Sequence, residues 1–430
     1  MSSTPPQTPV RDRSIDVIRA ACLVVVVLLH AVMAGVSVRA GETVFANALD
    51  APWFWPVSWV VQVMPLFFLA GGATGVTAWR RRRAGGETAS SFVHGRLMRL
   101  LRPSIVAMAV VAVALAALSA AGAPEPVVAE AGFRISQPLW FLGVFLLVQA
   151  LVPAMVALHE RRPVVTLVAL SAAVCGVDIA RAATGAEAVG LLNLAFVWLL
   201  IQQLGFALAD GWCERIRPRV RIAAALIALV GLGALAGAGV YSPDMYVNLN
   251  PPTAALLLLG VAQTLLFSVA QPALRRVGGA TLRVVDVLGT RAMTIYLWHM
   301  PVIIGLAGLL AGSALLRGTD LPEILSVAWW ASRPLWCLVI AALVFAVARI
   351  AHGAERPASG QRAAAGWRVA AGALLGIASV ACVFVRGLDV ETAVLSAAIG
   401  GAALFLSSRP AAGGFPPHLP AGQTHSVRLA

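Results

Sequence analysis

Arg19 and His30 stand inside the first apolar stretch of the chain, in Ser14-Ile-Asp-Val-Ile-Arg-Ala-Ala-Cys-Leu-Val-Val-Val-Val-Leu-Leu-His30. On a helix, the eleven positions from one to the other come to three turns and about 20°, so both side chains share one face. The rise between them is about 16 Å, roughly half a hydrocarbon core. A guanidinium and an imidazole on one stripe of so apolar a segment mark a polar path along it. Ionisable groups within a membrane are functional candidates by default. Asp16 lies one turn before Arg19 and is placed to orient it.

A second histidine strengthens the pattern. In Arg291-Ala-Met-Thr-Ile-Tyr296-Leu-Trp-His299-Met-Pro301, His299 lies about 12 Å past Arg291, at a depth near that of His30. Two histidines from different helices at matched depth form a better constellation than either alone. Arg96, Arg99 and Arg102 recur every third residue in Arg96-Leu-Met-Arg99-Leu-Leu-Arg102-Pro103, a basic stripe along one side of a helix. Arginine's planar fork binds phosphate oxygens bidentately, although such a stripe also serves as a solvated, topology-setting face.

The elements that hold these residues follow from composition. Sixty percent of the 430 residues are hydrophobic and the mean hydropathy is +0.86, which excludes an ordinary soluble domain. Apolar stretches of about 18 to 23 residues, each long enough to span a bilayer, recur along the chain. They predict twelve spans, at about 15–38, 57–79, 103–122, 138–158, 163–182, 188–209, 220–240, 251–271, 292–314, 331–351, 367–387 and 391–408. The fold class is therefore all-α, a polytopic transmembrane helix bundle. Residues 1–14 and the Pro- and Gly-rich tail 409–430 are expected to be disordered and cytoplasmic. No cleavable signal peptide is expected, because the first apolar segment is a full span without a small-residue cleavage site.

All 32 basic residues are arginine, and the net charge is +13. Arginines crowd the even-numbered connections: Arg80 to Arg83, Arg161 and Arg162, Arg215 to Arg221, Arg275 to Arg291, and Arg349 to Arg368. The odd-numbered connections carry Glu42, Asp50, Glu125, Glu130, Asp244, Asp320 and Glu323 instead. This alternation is the positive-inside pattern; it places both termini in the cytoplasm of a multi-pass cell-membrane protein and makes nucleic acid unnecessary as a partner. Five scattered cysteines imply no disulfide framework, and no His, Cys, Asp or Glu grouping has metal-ligand spacing.

Other polar residues have bland explanations. Pro65 should kink the second span, and Gly71-Gly72 should let another backbone approach. Trp140, after Pro138, reads as an interfacial aromatic anchor. Asp178 and Arg181 are spaced to pair, and Asn193, Gln202 and Gln203 to hydrogen-bond between helices. Pro251 and Pro252 suit a helix's first turn, with Asn250 as its cap.

Taken together, the motifs resemble the membrane acyltransferase-3 family of integral membrane O-acyltransferases. The matching pieces are Ile15-Asp16…Arg19…His30, Met64-Pro-Leu-Phe-Phe-Leu-Ala-Gly-Gly72, Arg96 to Pro103, Leu139-Trp-Phe-Leu142 and Ile295 to Pro301. Asn248-Leu-Asn-Pro-Pro-Thr253 is similar to the form in actinobacterial members. The likeness implies a ten-span domain over 15–352, followed by two additional helices over 353–408 that have no assignable role. The aromatic that the family carries after its span 2 glycine is absent, with Gly71-Gly72-Ala73 here.

The resemblance implies transfer of an acyl group, acetyl in the common case, from cytoplasmic acyl-coenzyme A to a hydroxyl of a carbohydrate, glycolipid or related acceptor. Arg96 and Arg99 would hold the donor's phosphates, with Arg19 deeper. His30 would be the general base or a transient acyl carrier, and His299 an orienting or acid partner. Two competing readings are a proton-coupled secondary transporter, which twelve spans also suit, and an inactive scaffold. The two halves of the chain show no internal similarity that would favour the transporter.

Overall fold

The structure is a computed structural model and describes residues 12–351 and 361–410. It contains α1 (Arg13–Met33), β1 (Ala34–Arg39), β2 (Glu42–Asn47), α2 (Phe54–Val61), α3 (Met64–Ala84), α4 (Ala89–Ala120), α5 (Glu125–Ser136), α6 (Leu139–Ala150) and α7 (Val152–Arg161). Then come α8 (Pro163–Thr184), the short α9 (Glu187–Gly190), α10 (Asn193–Ala209), α11 (Pro218–Gly237), α12 (Ala254–Leu274) and α13 (Gly279–Thr290). The last elements are α14 (Ala292–Arg317), α15 (Val327–Ala351), β3 (Gln361–Ala363), α16 (Gly366–Arg386), α17 (Val390–Ser407) and β4 (Ser408–Pro410). Among the described residues twelve helical segments are long and apolar enough to cross a membrane. The all-α bundle expected from hydropathy is the fold.

Two expected spans are built differently. The first was expected to stay helical to residue 38, but α1 stops at Met33 and the chain turns into the β1–β2 hairpin. Backbone groups amid apolar surroundings must find partners within the protein, and strand pairing supplies them. Ala40 (φ 51°) and Gly41 (φ 83°) make the two-residue turn, whose left-handed backbone matches the twist of the strands. Val36 and Val38 on β1 pack with Ile303 and Ala307 of α14, and Leu321 N–H donates to Val38 O at 3.0 Å. The hairpin thus fills the space beside the last two-thirds of α14, which α1 is too short to reach. The fourth span, expected at 138–158, instead runs from Glu125 to Ala150 with a break at Gln137-Pro138, and α7 follows separately.

Local chemistry explains the crossings near the centre. The second span breaks at Gln62-Val63, before Pro65, where the ring's missing N–H favours a helix start. The loosened carbonyls are taken up by Tyr246 O–H on Val61 (3.2 Å) and Gln263 Nε2–H on Gln62 (2.8 Å). The expected close approach at Gly71-Gly72 is present: a methyl on Gly72 would stand 2.5 Å from the Gln202 carbonyl oxygen of α10. Gly205 of α10 faces back onto α3, and Phe68 stacks on Trp198 at 4.4 Å. Gln202 and Gln203 make the interhelical bonds expected of them, to Val148 O and Met155 O.

Asp178 does not pair with Arg181, which binds Glu187 instead. Its carboxylate accepts from Asn193 Nδ2 (2.9 Å), Tyr241 O–H (2.9 Å) and the Ala254 backbone N–H (2.8 Å). It therefore caps α12 from another helix, in place of the Asn250 cap expected from sequence. Pro251 and Pro252 precede α12 rather than occupying its first turn. At the arginine-rich end, Arg80 binds both Glu160 (3.0 Å) and Asp210, Arg83 binds Glu160 (3.0 Å), and His159 bridges Asp210 and Gln203. This network clamps α3, α7 and α10.

The last two long helices do not pack on their sequence neighbour α15. They lie against α4 and α6, with Gly376 set on Leu97 and Leu101 and Gly400 on Ile105. Ser379 and Ser396 join α16 to α17 at 3.0 Å between hydroxyls. Of the tail expected to be disordered, Arg409 and Pro410 instead pair in β4 with β3. Of the N-terminal stretch, Asp12 caps α1 and Arg13 and Ser14 open it. The rest of both expected disordered segments lies outside the described residues.

Candidate active site

A cavity of about 900 Å³ runs through the bundle between α1, α3, α4, α6, α12 and α14. Its size suits a drug-sized or larger ligand. Arg81, Arg96, Arg99 and Arg275 line one end, with Asp12 and Glu214. Asp16 and Arg19 follow along α1, and His30, Trp140, Tyr246 and Tyr296 line the part reached beyond them. Leu23, Val26, Met64, Phe67 and Phe145 form apolar wall between. The stripe predicted on α1 is therefore a wall of one cavity, since Asp16, Arg19, Leu23, Val26 and His30 recur on it at helical spacing.

The cationic end is only partly neutralised. Arg275 is held by Asp12 (2.9 Å) and Glu214 (3.2 Å). Burial alone would raise the Asp12 carboxyl, but hydrogen bonds from Arg275 and Ser14 outweigh it and hold the group below its ordinary range. Arg96 lies over the Phe92 ring, 4.9 Å from its centroid, and among the described residues neither Arg96 nor Arg99 forms an ion pair. Arg102, third in the predicted stripe, is exposed and outside this cavity.

His30 and His299 meet. His299 Nε2 lies 3.0 Å from His30 Nδ1, with ring centroids 5.0 Å apart. His299 is fully buried behind His30, which alone of the two lines the cavity. The tautomers follow from the partners. His299 Nδ1 lies 2.6 Å from Tyr296 O, a carbonyl that can only accept, so Nδ1 carries the proton. In the neutral pair His299 Nε2 is then an acceptor and His30 Nδ1–H its donor, which leaves the lone pair of His30 on Nε2. Tyr296 in turn donates its hydroxyl to Pro138 O at 2.7 Å, fixing the start of α6 at the level of the histidines.

Three parts of this site were not assigned from sequence. Trp140, read as an interfacial anchor, lines the cavity and packs near Trp198 at 6.2 Å. Tyr246 arrives from the connection before α12, which dips into the bundle: Met245 N–H donates to Ser58 Oγ (2.9 Å) and Gln62 Nε2–H to Met245 O (3.2 Å). No periodicity marks such a loop residue in advance. Glu214 and Arg275 are a third case, surface charges in sequence that become the rim of the cavity. No group of three or more metal-binding side chains occurs among the described residues.

No curated protein and no solved structure matches the chain. A family model described as an acyltransferase domain, of the acyltransferase-3 type, matches residues 12–353, which includes every cavity-lining residue named above. The matched region ends before α16 and α17. The chain is a multi-pass membrane protein that belongs to the acyltransferase-3 family.

Proposed function

We propose that the protein transfers an acyl group, acetyl as the expected case, from acyl-coenzyme A to a hydroxyl of a carbohydrate, glycolipid or related acceptor across the cell membrane. The observation that carries this reading is one cavity joining Arg96 and Arg99, which form no ion pair among the described residues, to a buried histidine pair. Arginine alternation along the sequence supports a cytoplasmic position for the arginine-rich end and for both termini. The donor's phosphates then meet Arg96 and Arg99, and Arg19 receives a pyrophosphate or thioester oxygen deeper in. Arg19 and His30 are separated by a rise of about 16 Å on α1, a reach comparable to an extended pantetheine arm.

His30 Nε2 takes the proton of the acceptor hydroxyl as its oxygen attacks the thioester carbonyl carbon. The tetrahedral intermediate collapses, the carbon–sulfur bond breaks, and the coenzyme A thiolate leaves and takes up that proton. While His30 is protonated, its Nδ1–H stays directed at His299 Nε2, so His299 orients the base without touching substrate. Asp16 acts on Arg19 from one turn away.

The test uses His30→Ala and Arg19→Ala proteins that insert normally. Transfer from acetyl-coenzyme A should fall at least about 100-fold for His30→Ala, the usual scale of a lost general base. Near-normal transfer by both would refute the assignment. Arg96→Gln and Arg99→Gln should raise the KM for acetyl-coenzyme A while leaving kcat nearly unchanged. Mass spectrometry of surface glycans and lipids from cells with and without the protein identifies acceptor and acyl group together. Gradient-driven uptake by vesicles without thiol release would favour a transporter instead.

A further inference from the structure

We propose that Trp140 and Tyr246 form the subsite that receives a sugar ring of the acceptor beside His30. The proposal rests on the acyl-transfer reading and adds to it the residues that select the acceptor. Trp140 stands in the first turn of α6, two residues after Pro138, whose carbonyl is held by Tyr296. The Tyr296 ring is 6.0 Å from that of His299, and His299 is bonded to His30, so this turn is fixed at the level of the base.

Trp140 is the one tryptophan among the residues that line the cavity. Trp59 and Trp336 donate their indole N–H to Pro243 O (2.7 Å) and Ala31 O (2.8 Å). Trp79, Trp198 and Trp329 also keep an N–H without a hydrogen bond among the described residues, but each is buried and outside the cavity wall. Trp140 is half-buried, lines the cavity, and its N–H has no hydrogen bond among the described residues. An interfacial anchor would sit among headgroups; this ring offers one face and one donor to an internal space.

Tyr246 completes the pair from a different part of the chain. Its ring packs on Phe54 at 5.4 Å, its hydroxyl donates to Val61 O and keeps an accepting lone pair, and the residue lines the same cavity as Trp140 and His30. A flat aromatic face, a free N–H and an accepting oxygen match the two sides of a pyranose. Its C–H face packs on the indole, and its edge hydroxyls pair with the polar atoms. A hydrocarbon tail would use the face and leave the N–H without a partner.

The experiment measures transfer from acetyl-coenzyme A by purified protein in phosphatidylglycerol–phosphatidylethanolamine vesicles. The acceptors are the methyl pyranosides of glucose, galactose, mannose, rhamnose and N-acetylglucosamine, with n-hexanol as an acceptor lacking a ring. Trp140→Leu should raise the KM of the best pyranoside at least about tenfold, with a smaller effect on n-hexanol. Trp140→Phe should recover most of that loss, because stacking survives. The proposal is overturned if Trp140→Leu keeps the wild-type pyranoside KM, or if both acceptors weaken equally. It is also overturned if no pyranoside is acylated by protein that acylates n-hexanol, an outcome that leaves acyl transfer standing. Absence of thiol release from acetyl-coenzyme A with every acceptor would instead remove the acyl-transfer reading itself.

Discussion

Replacing His299 with phenylalanine isolates the second histidine's role. Phenylalanine is close in size and apolar, so it fills a site that is fully buried and leaves no large void. What disappears is the acceptor 3.0 Å from His30 Nδ1. A buried N–H left without a partner costs about 1–3 kcal/mol. His30 escapes that cost only by turning or by moving its proton to Nε2, and either change removes the lone pair from the cavity. If the whole cost falls on the reactive arrangement, kcat drops about 5- to 150-fold. The KM for acetyl-coenzyme A should hold, because His299 is not part of the cavity wall. His299→Gln restores an accepting oxygen and should recover most of kcat. The assay is thiol release with product detection, on variants matched for melting temperature in detergent. Wild-type kcat in His299→Phe, or no recovery in His299→Gln, would refute the tautomer argument.

Asp178→Leu removes the acceptor of three hydrogen bonds joining α8, α10, the connection before α12 and the first N–H of α12. It should cost about 2–4 kcal/mol, read as a lower melting temperature in detergent, with a smaller loss for Asp178→Asn. Acid should loosen the arginine-rich end. Glu160 is held low by its hydrogen bonds to Arg83 and Arg80, and Asp12 by those from Arg275 and Ser14 against its burial. A carboxylate whose folded pKa is depressed stabilises above its unfolded value and loses that contribution as pH falls. The melting temperature should therefore be insensitive to these groups at neutral pH and fall below about pH 4.5. Asp12→Asn with Glu160→Gln should flatten that fall.

Much of this site could be read from spacing, because helices in a membrane obey simple geometry. Arg19 and His30 shared a stripe by angle, and one cavity wall now carries both. His299 was matched to His30 by rise alone, and the two rings touch. The helical spans followed from apolar length to within a few residues for most of the chain. The failures lie where a residue's partners come from elsewhere in the chain, so that neighbours in space are not neighbours in spacing. Ala34 to Val38 is apolar enough to continue a helix, and only the Ala40-Gly41 turn signals a hairpin. Asp178 finds partners 15 to 76 positions away rather than on its own helix. Trp140 has the composition of an anchor, and only packing turns it inward.

The docking of α16 and α17 on α4 has a consequence in time. About 270 residues separate Leu97 from Gly366, and at ribosomal rates of roughly 5–20 residues per second they take about 15–55 s to make. For that interval the α4 helix bearing Arg96 and Arg99 is already synthesised, while the face carrying Leu97, Leu101 and Ile105 lacks its final cover. That face of α4 is therefore the last part of the bundle to be covered, although the final cavity-lining residue, Tyr296, is made about 70 residues before Gly366. The nascent chain holds every cavity-lining residue before the two helices that brace α4 emerge.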